Sequence, residues 1–209
     1  MDLSVGVRFT SGDEVPEFPR LLDSLRQPLE DGHITLHRSR NTVTYPARFQ
    51  LVLAANPCPC GLNVGARNEC TCSPRERTRY FQRISGPVMD RIDVYCRVRA
   101  VDLRTASPAG TSTAEMARQV TATRERQAER YRNHPFTLNS QVPGPLLRSE
   151  FAPEKGEAKE LTDALMNGRI SMRGYDRTAR LAWTVADLDG AERPTREHIG
   201  TALFLRGRA

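Results

Sequence analysis

The sequence predicts an α/β piece over residues 1–105, followed by an all-α piece over residues 106–209. Three observations carry this. Residues 49–55 form an apolar run with one polar interruption, the composition of a buried parallel-type strand. Just before it, two short alternating runs, residues 34–38 and 42–46, flank the polar Ser39-Arg40-Asn41 and read as a β-hairpin. Beyond a small, polar stretch at residues 102–112, with Pro108 and Gly110, the apolar residues recur at helical spacing.

The elements follow in order. Between residues 17 and 30, Phe18, Leu21, Leu22, Leu25 and Leu29 mark one face of a helix, which Asp31-Gly32 closes. After the hairpin and the apolar run, Asn56-Pro57 opens a cysteine-rich loop. A helix is expected over residues 73–83, a short helical turn at Ser85-Gly86-Pro87, and a further strand over residues 92–101. In the second piece, Ser112-Thr113-Ala114-Glu115 fits a capping box and starts a charged helix to about residue 132. Pro143-Gly144-Pro145 breaks the chain, and helices are expected over residues 154–166, 172–187 and 194–205.

Composition narrows the function classes. No stretch approaches the roughly 18 apolar residues of a membrane span, and the first residues lack the pattern of a signal peptide, so a cytoplasmic address is expected. The formal net charge is +6, and it rests on arginine, since Lys155 and Lys159 are the lysines of the chain. Two readings of that bias stay open: general composition, or contact with a polyanion such as nucleotide or nucleic acid. Five cysteines in such a chain do not suggest a disulfide framework.

Several residues are candidates for chemistry. Asp13-Glu14, before a helix, suits a nucleotide motor, in which Asp holds the second shell of Mg2+ and Glu polarises the attacking water. A solvated turn is the plain alternative. Asn56 stands at the C-terminal end of the apolar run, where open α/β sheets bind ligands, and can orient a water or simply cap a turn. Arg91 lies between Asp90 and Asp93, as a local salt-bridge knot or as an arginine finger reaching a neighbour's nucleotide. Arg173, Arg177 and Arg180 share a helix face, which reads as a solvated face or, with Arg173 at the helix start, as a phosphate sensor. Cys58-x-Cys60 and Cys70-x-Cys72 offer four thiolates for a structural Zn2+, with unliganded thiols and redox chemistry as the other readings. Cys96, within an expected strand, reads as a core residue.

Together these pieces resemble the ComM/YifB family of magnesium-chelatase-like AAA+ ATPases. The resemblance runs, in the family's order, through Asp13 to Phe18, Gln27 to Glu30, Tyr45 to Phe49, Ala55 to Gly61, Ser85 to Pro87, Asp90 to Asp93, Asn139 to Pro145 and Ser171 to Arg177. It implies a partial AAA+ P-loop NTPase core with parallel strands and a hairpin insertion, then an all-α lid. Asp13 and Glu14 match the Walker B pair, Asn56 sensor 1, Arg91 the arginine finger and Arg173 sensor 2. His37, Arg38 and Arg40 match the hairpin tip that touches DNA in similar hexameric motors. ATP and Mg2+ are the implied cofactors, a homohexameric ring and DNA the implied partners, and branch migration in recombination or transformation the implied role. The motor residues alone leave open a true magnesium-chelatase subunit acting on a porphyrin, or a non-enzymatic remnant.

The chain departs from the family at one point that matters chemically. It contains no Gly-x-x-x-x-Gly-Lys-Ser/Thr, the loop that cradles the β- and γ-phosphates and that the family keeps upstream of the Walker B pair. Residues 7–12 also lack the apolar run expected before that pair. The expectation is a truncated chain, or one with an altered start, that does not hydrolyse ATP by itself.

Overall fold

The computed structural model describes residues 19–38, 41–63, 69–98 and 110–207. The chain divides into two compact units, residues 1–92 with 98–101, and residues 93–97 with 102–209.

In the first unit the expected single helix is two, α1 (Pro19–Ser24) and α2 (Arg26–Asp31). The break follows from Pro28. A proline ring clashes with the carbonyl four residues before it, here Ser24, and offers no N–H to bond it. Proline is tolerated within the first turn of α2, where N–H groups lack intrahelical partners anyway. Gly32 ends α2 with φ 68°, a left-handed value that glycine adopts without penalty.

The hairpin is present as β1 (His33–Arg38) and β2 (Asn41–Pro46), antiparallel, with Arg38 opposite Asn41 and His33 opposite Pro46. This register leaves Ser39 and Arg40 between the strands, one residue fewer than expected. Ile34 faces Tyr45 and Leu36 faces Val43 on one side of the ribbon, and all four are 38 to 53% exposed. On the other side Thr35 and Thr44 share a hydroxyl hydrogen bond of 3.1 Å. The Ala47 N–H donates to the Gly32 carbonyl (2.8 Å) and closes the base.

The expected parallel strands are not observed among the described residues. Residues 47–56 and 92–98 carry no ladder, and β1–β2 is the sheet described. An apolar run becomes a strand only when a neighbour takes its N–H and C=O groups. The Tyr95 N–H instead donates to the Leu205 carbonyl at a helix end (2.7 Å). Residues 99–101 of that expected strand lie outside the described residues. Among the described residues of the unit, two more short helices follow, α3 (Pro74–Gln82) and α4 (Gly86–Met89). Ser73 and Glu76 form a full capping box on α3. Leu22 and Val88 form a buried apolar cluster with Leu25, Leu53 and Ile84 packed around them, and Cys58 and Tyr80 are buried as well.

The second unit is helical: α5 (Thr113–Arg130), a 3-10 turn at Asn139–Gln141, α6 (Gly144–Leu147), α7 (Lys159–Met166), α8 (Met172–Asp189) and α9 (Arg196–Leu205). Ser112 caps α5 by accepting from the Glu115 N–H (3.2 Å). Helix α7 starts later than expected because residues 155–158 form a turn around Gly156, whose φ is 95°. Ala179, Ala182, Trp183 and Ala186 of α8 are buried, and the small side chains admit Ile199 and Ala202 of α9. The Trp183 indole N–H donates to the Phe151 carbonyl (2.9 Å), so this large apolar side chain is buried with its polar atom satisfied. No helix among the described residues is long and apolar enough to cross a membrane.

Candidate functional site

Four cysteines from two sides of one loop converge. The Sγ atoms of Cys58 and Cys60 are 3.3 Å apart, Cys58 and Cys70 3.5 Å, and Cys60 and Cys70 3.6 Å. With Cys72 included, all four sulfurs lie within 4.8 Å of one another. A tight turn makes the first pair: the Gly61 N–H donates to the Cys58 carbonyl (3.0 Å), and Gly61 takes φ 74°. The second pair runs directly into Ser73, the N-cap of α3. Residues 64–68, between the pairs, lie outside the described residues.

The thiols are not equivalent. Hydrogen bonds from the Leu62 backbone and from Cys58 bring the Cys60 thiol down to about 6, while its hydrogen bond to Cys60 pushes Cys72 up to about 12. Of these two coupled thiols, Cys60 is the more acidic and Cys72 the less. Arg77 Nη1 stands 3.9 Å from Cys70 Sγ. Four polarisable donors around one point, with a nearby cation, make a thiolate-rich cage.

Asn56 precedes this cage by two residues and is exposed. Its carboxamide lies against the turn: a Cβ built on Gly61 stands 3.5 Å from Asn56 Nδ2. The side chain thus rests on the cysteine loop.

Arg91 follows α4 and is held within its own unit. Its Nε donates to the Arg26 carbonyl (2.9 Å), its Nη1 to the Pro87 carbonyl (2.8 Å), and its Nη2 pairs with the Glu30 carboxylate. The side chain is 8% exposed. Asp93, the flanking residue expected in a knot with Arg91, pairs with Arg177 (2.5 Å) and Arg206 (3.6 Å). The Ser85 hydroxyl donates to the Asp23 carboxylate (2.6 Å) and ties the entrance of α4 to α1.

The three arginines of α8 have different fates. Arg177 binds Asp93, and Arg180 donates twice to the Val142 carbonyl (3.0 and 2.8 Å), with burial pulling its pKa down. Arg173 is exposed in the first turn, beside the Ser171 cap that accepts from the Gly174 N–H (3.1 Å).

On the hairpin, exposed His37 hydrogen-bonds the Thr42 hydroxyl (3.1 Å). The Arg38 side chain, Arg40, Asp13 and Glu14 lie outside the described residues. Cys96 is exposed rather than in a core, because the segment that carries it forms no strand. Glu30, as the partner of Arg91, went unassigned in the sequence, although Gln27-Pro28-Leu29-Glu30 stood out there. Arg77, as a neighbour of the thiols, had no sequence signal.

A family model described as magnesium chelatase, subunit ChlI, matches residues 4–107, and the model of its C-terminal region matches residues 110–206. The chain is 43% identical to an uncharacterized protein of Mycobacterium tuberculosis over 186 residues, 88% of this chain and 37% of that protein. It is 39% identical to YifB of Escherichia coli over 199 residues, 93% of this chain and 38% of YifB. It is 36% identical to the competence protein ComM of Haemophilus influenzae over 198 residues, 93% of this chain and 38% of ComM. The chain therefore spans less than two-fifths of the length of each of these relatives.

Proposed function

The chain belongs to the magnesium-chelatase-like family that includes YifB and ComM, and from that premise we propose that it is the nucleotide-sensing and lid portion of an ATP-driven motor that acts on DNA. The residues present read a nucleotide rather than cradle it, because the phosphate-binding loop is not in this sequence. ATP with Mg2+ supplies the phosphoryl-transfer chemistry when bound. In this reading Asp13 orients the water shell of the cation, and Glu14 and Asn56 hold and polarise a water. Arg173 reaches the nucleotide of its own subunit, and Arg91 that of a neighbour in a homohexameric ring. His37, Arg38 and Arg40 meet the DNA backbone. The four thiols of the same unit take a structural Zn2+, and the setting is cytoplasmic.

The placement of Arg173 carries the reading. It stands exposed in the first turn of α8, next to the Ser171 N-cap, where the backbone N–H groups of a helix start favour an anion. Arg91 is compatible with a trans role: the Glu30 carboxylate on its guanidinium is partly exposed, and a phosphate can exchange for it.

The experiment is ATP turnover of the 209-residue chain and of a full-length version with the phosphate loop restored. The chain alone is expected to turn over at background. The full-length protein is expected to be stimulated by branched DNA and impaired by Arg173→Ala. Stimulation by a porphyrin-binding partner in place of DNA would assign it to metallation instead, and Glu14-dependent turnover by the chain alone would overturn the division of roles.

A further inference from the structure

We propose that one Zn2+ ion held by Cys58, Cys60, Cys70 and Cys72 is the positioning element for Asn56. The functional consequence rests on the reading of Asn56 as a nucleotide sensor, whereas the metal and the ordering of the side chain do not.

Geometry comes first. Four thiolates at about 2.3 Å from a zinc ion stand about 3.8 Å apart along the edges of a tetrahedron. The separations among Cys58, Cys60 and Cys70, 3.3, 3.5 and 3.6 Å, lie within about half an ångström of that value, and all four sulfurs lie within 4.8 Å of one another. Disulfides need about 2.05 Å, and all four cysteines are free. Hydrophobic packing does not explain the convergence either, because Cys60 is exposed. Thiolates are soft donors, which select zinc over magnesium or calcium. Binding releases the thiol protons to solvent, and Arg77 at 3.9 Å from Cys70 offsets part of the negative charge of a tetrathiolate site.

The link to Asn56 is short and stiff. One residue, Pro57, with its φ locked, separates Asn56 from Cys58. Fixing Cys58 and Cys60 fixes the Gly61 turn, and Asn56 lies on that turn. On the far side Cys72 adjoins the N-cap of α3. The ion therefore ties the end of residues 47–56 to the start of α3, whose Tyr80 is buried in the same unit.

The test uses the 209-residue chain purified without chelator. Elemental analysis is expected to give about one zinc per chain, the stoichiometry of a closed site, and Cys60→Ser with Cys72→Ser is expected to abolish it. Cobalt(II) substituted for zinc should give the intense visible bands of a tetrahedral tetrathiolate. The Asn56 side-chain amide, identified by its loss in Asn56→Ala, should be one dispersed NMR pair with zinc. It should broaden or collapse when the metal is stripped under reducing conditions, and return when zinc is restored. Trp183 fluorescence checks that the helical unit stays folded throughout. Gly61→Ala, strained at φ 74° but outside the ligand set, should keep the zinc and shift the Asn56 pair. A metal-free folded chain, with four thiols that react as freely as an unstructured cysteine, overturns the site. Zinc that comes and goes while the Asn56 pair stays unchanged overturns the positioning role. In the full-length protein, unchanged turnover of Asn56→Ala with zinc retained removes the sensor reading and leaves the metal inference standing.

Discussion

Asn139 donates from its side-chain nitrogen to Asp187 (2.9 Å), a carboxylate with no solvent exposure at all. The same amide donates to the Thr184 hydroxyl (3.1 Å), and its oxygen accepts from the Tyr131 hydroxyl (2.7 Å) and from Arg130 (3.2 Å). Arg130 pairs with Asp187 and stacks 4.1 Å over the Trp183 ring. Burial alone pulls the Arg130 pKa down, but the hydrogen bonds and attraction from Asp187 and Tyr131 together outweigh it and the net shift is upward. The segment after α5 is thus clamped to α8 through one buried, fully satisfied network.

Asp187→Ala removes the anion and leaves the Arg130 cation half-buried without its counter-charge. Breaking a buried pair in this way costs about 3–5 kcal/mol. Urea unfolding of the helical unit, followed by Trp183 fluorescence, should show that loss, and Asp187→Asn, which keeps an acceptor for Arg130, a smaller one. A cost of under about 1 kcal/mol for Asp187→Ala would mean the network is solvated in solution.

Gly144 has a steric reason to be glycine. A Cβ there would lie 2.1 Å from Asp176 Oδ2 and 2.9 Å from Arg148 Nη1. Both atoms are tips of side chains that pair with each other, so they can move only by giving up that pair. Gly144→Ala should therefore cost about 0.5–1.5 kcal/mol, the worth of a partly exposed charged contact. The discriminating measurement is a double-mutant cycle: with Asp176→Ala already present, Gly144→Ala should be nearly neutral. Equal costs in both backgrounds would place the strain in the backbone instead.

These two cases show what the sequence disclosed and what it did not. The helical periods, the hairpin and the capping residue Ser112 are local signals, set by spacing within a few residues, and they were legible. The segment Asn139 to Pro145 stood out as a motif without a role. Its partners Arg130, Asp176, Arg180 and Asp187 come from other helices, and no local pattern specifies such pairings. The apolar run at residues 49–55 was expected as a strand because its composition suits one, yet composition cannot supply the ladder partner that makes it one. The cysteine spacing pointed to convergence, whereas the Arg91–Glu30 pair spans 61 residues and has no sequence signature.

The hairpin should show its role through salt. Each phosphate neutralised by a basic side chain adds about 0.7–0.9 to the slope of log affinity against log salt. Arg38→Ala with Arg40→Ala, in the full-length protein, should lower that slope by about 1.4–1.8 if both contact phosphate, and weaken all DNA sequences alike. Fluorescence anisotropy over a salt series measures it. A changed sequence preference at constant slope would show base contact rather than backbone contact.

Arg91 poses the sharpest choice, between a pin and a finger. Its three bonds within the unit predict that Arg91→Ala destabilises the isolated chain by about 1–3 kcal/mol, the range for hydrogen bonds to charged groups, because Glu30 is exposed enough to be rehydrated. Glu30→Gln keeps the packing and both carbonyl acceptors, and should cost less than about 1 kcal/mol. A finger makes a further demand, since transition-state charge stabilisation by such an arginine is worth about 10³–10⁵ in rate. In the full-length ring, Arg91→Ala should then lose turnover by such a factor while ATP affinity stays near wild type, and Glu30→Gln should keep turnover, because it only frees the guanidinium. Mixing Arg91→Ala subunits with Glu14→Gln subunits should restore part of the activity, since some interfaces then join an intact Glu14 to a neighbour's intact Arg91. Arg173→Ala mixed with Glu14→Gln should restore none, because a lid arginine acting in cis needs both residues in one subunit. If Arg91→Ala loses stability and ATP affinity together and mixing never rescues it, Arg91 is a pin between α2 and α4, and the trans-acting cation lies elsewhere.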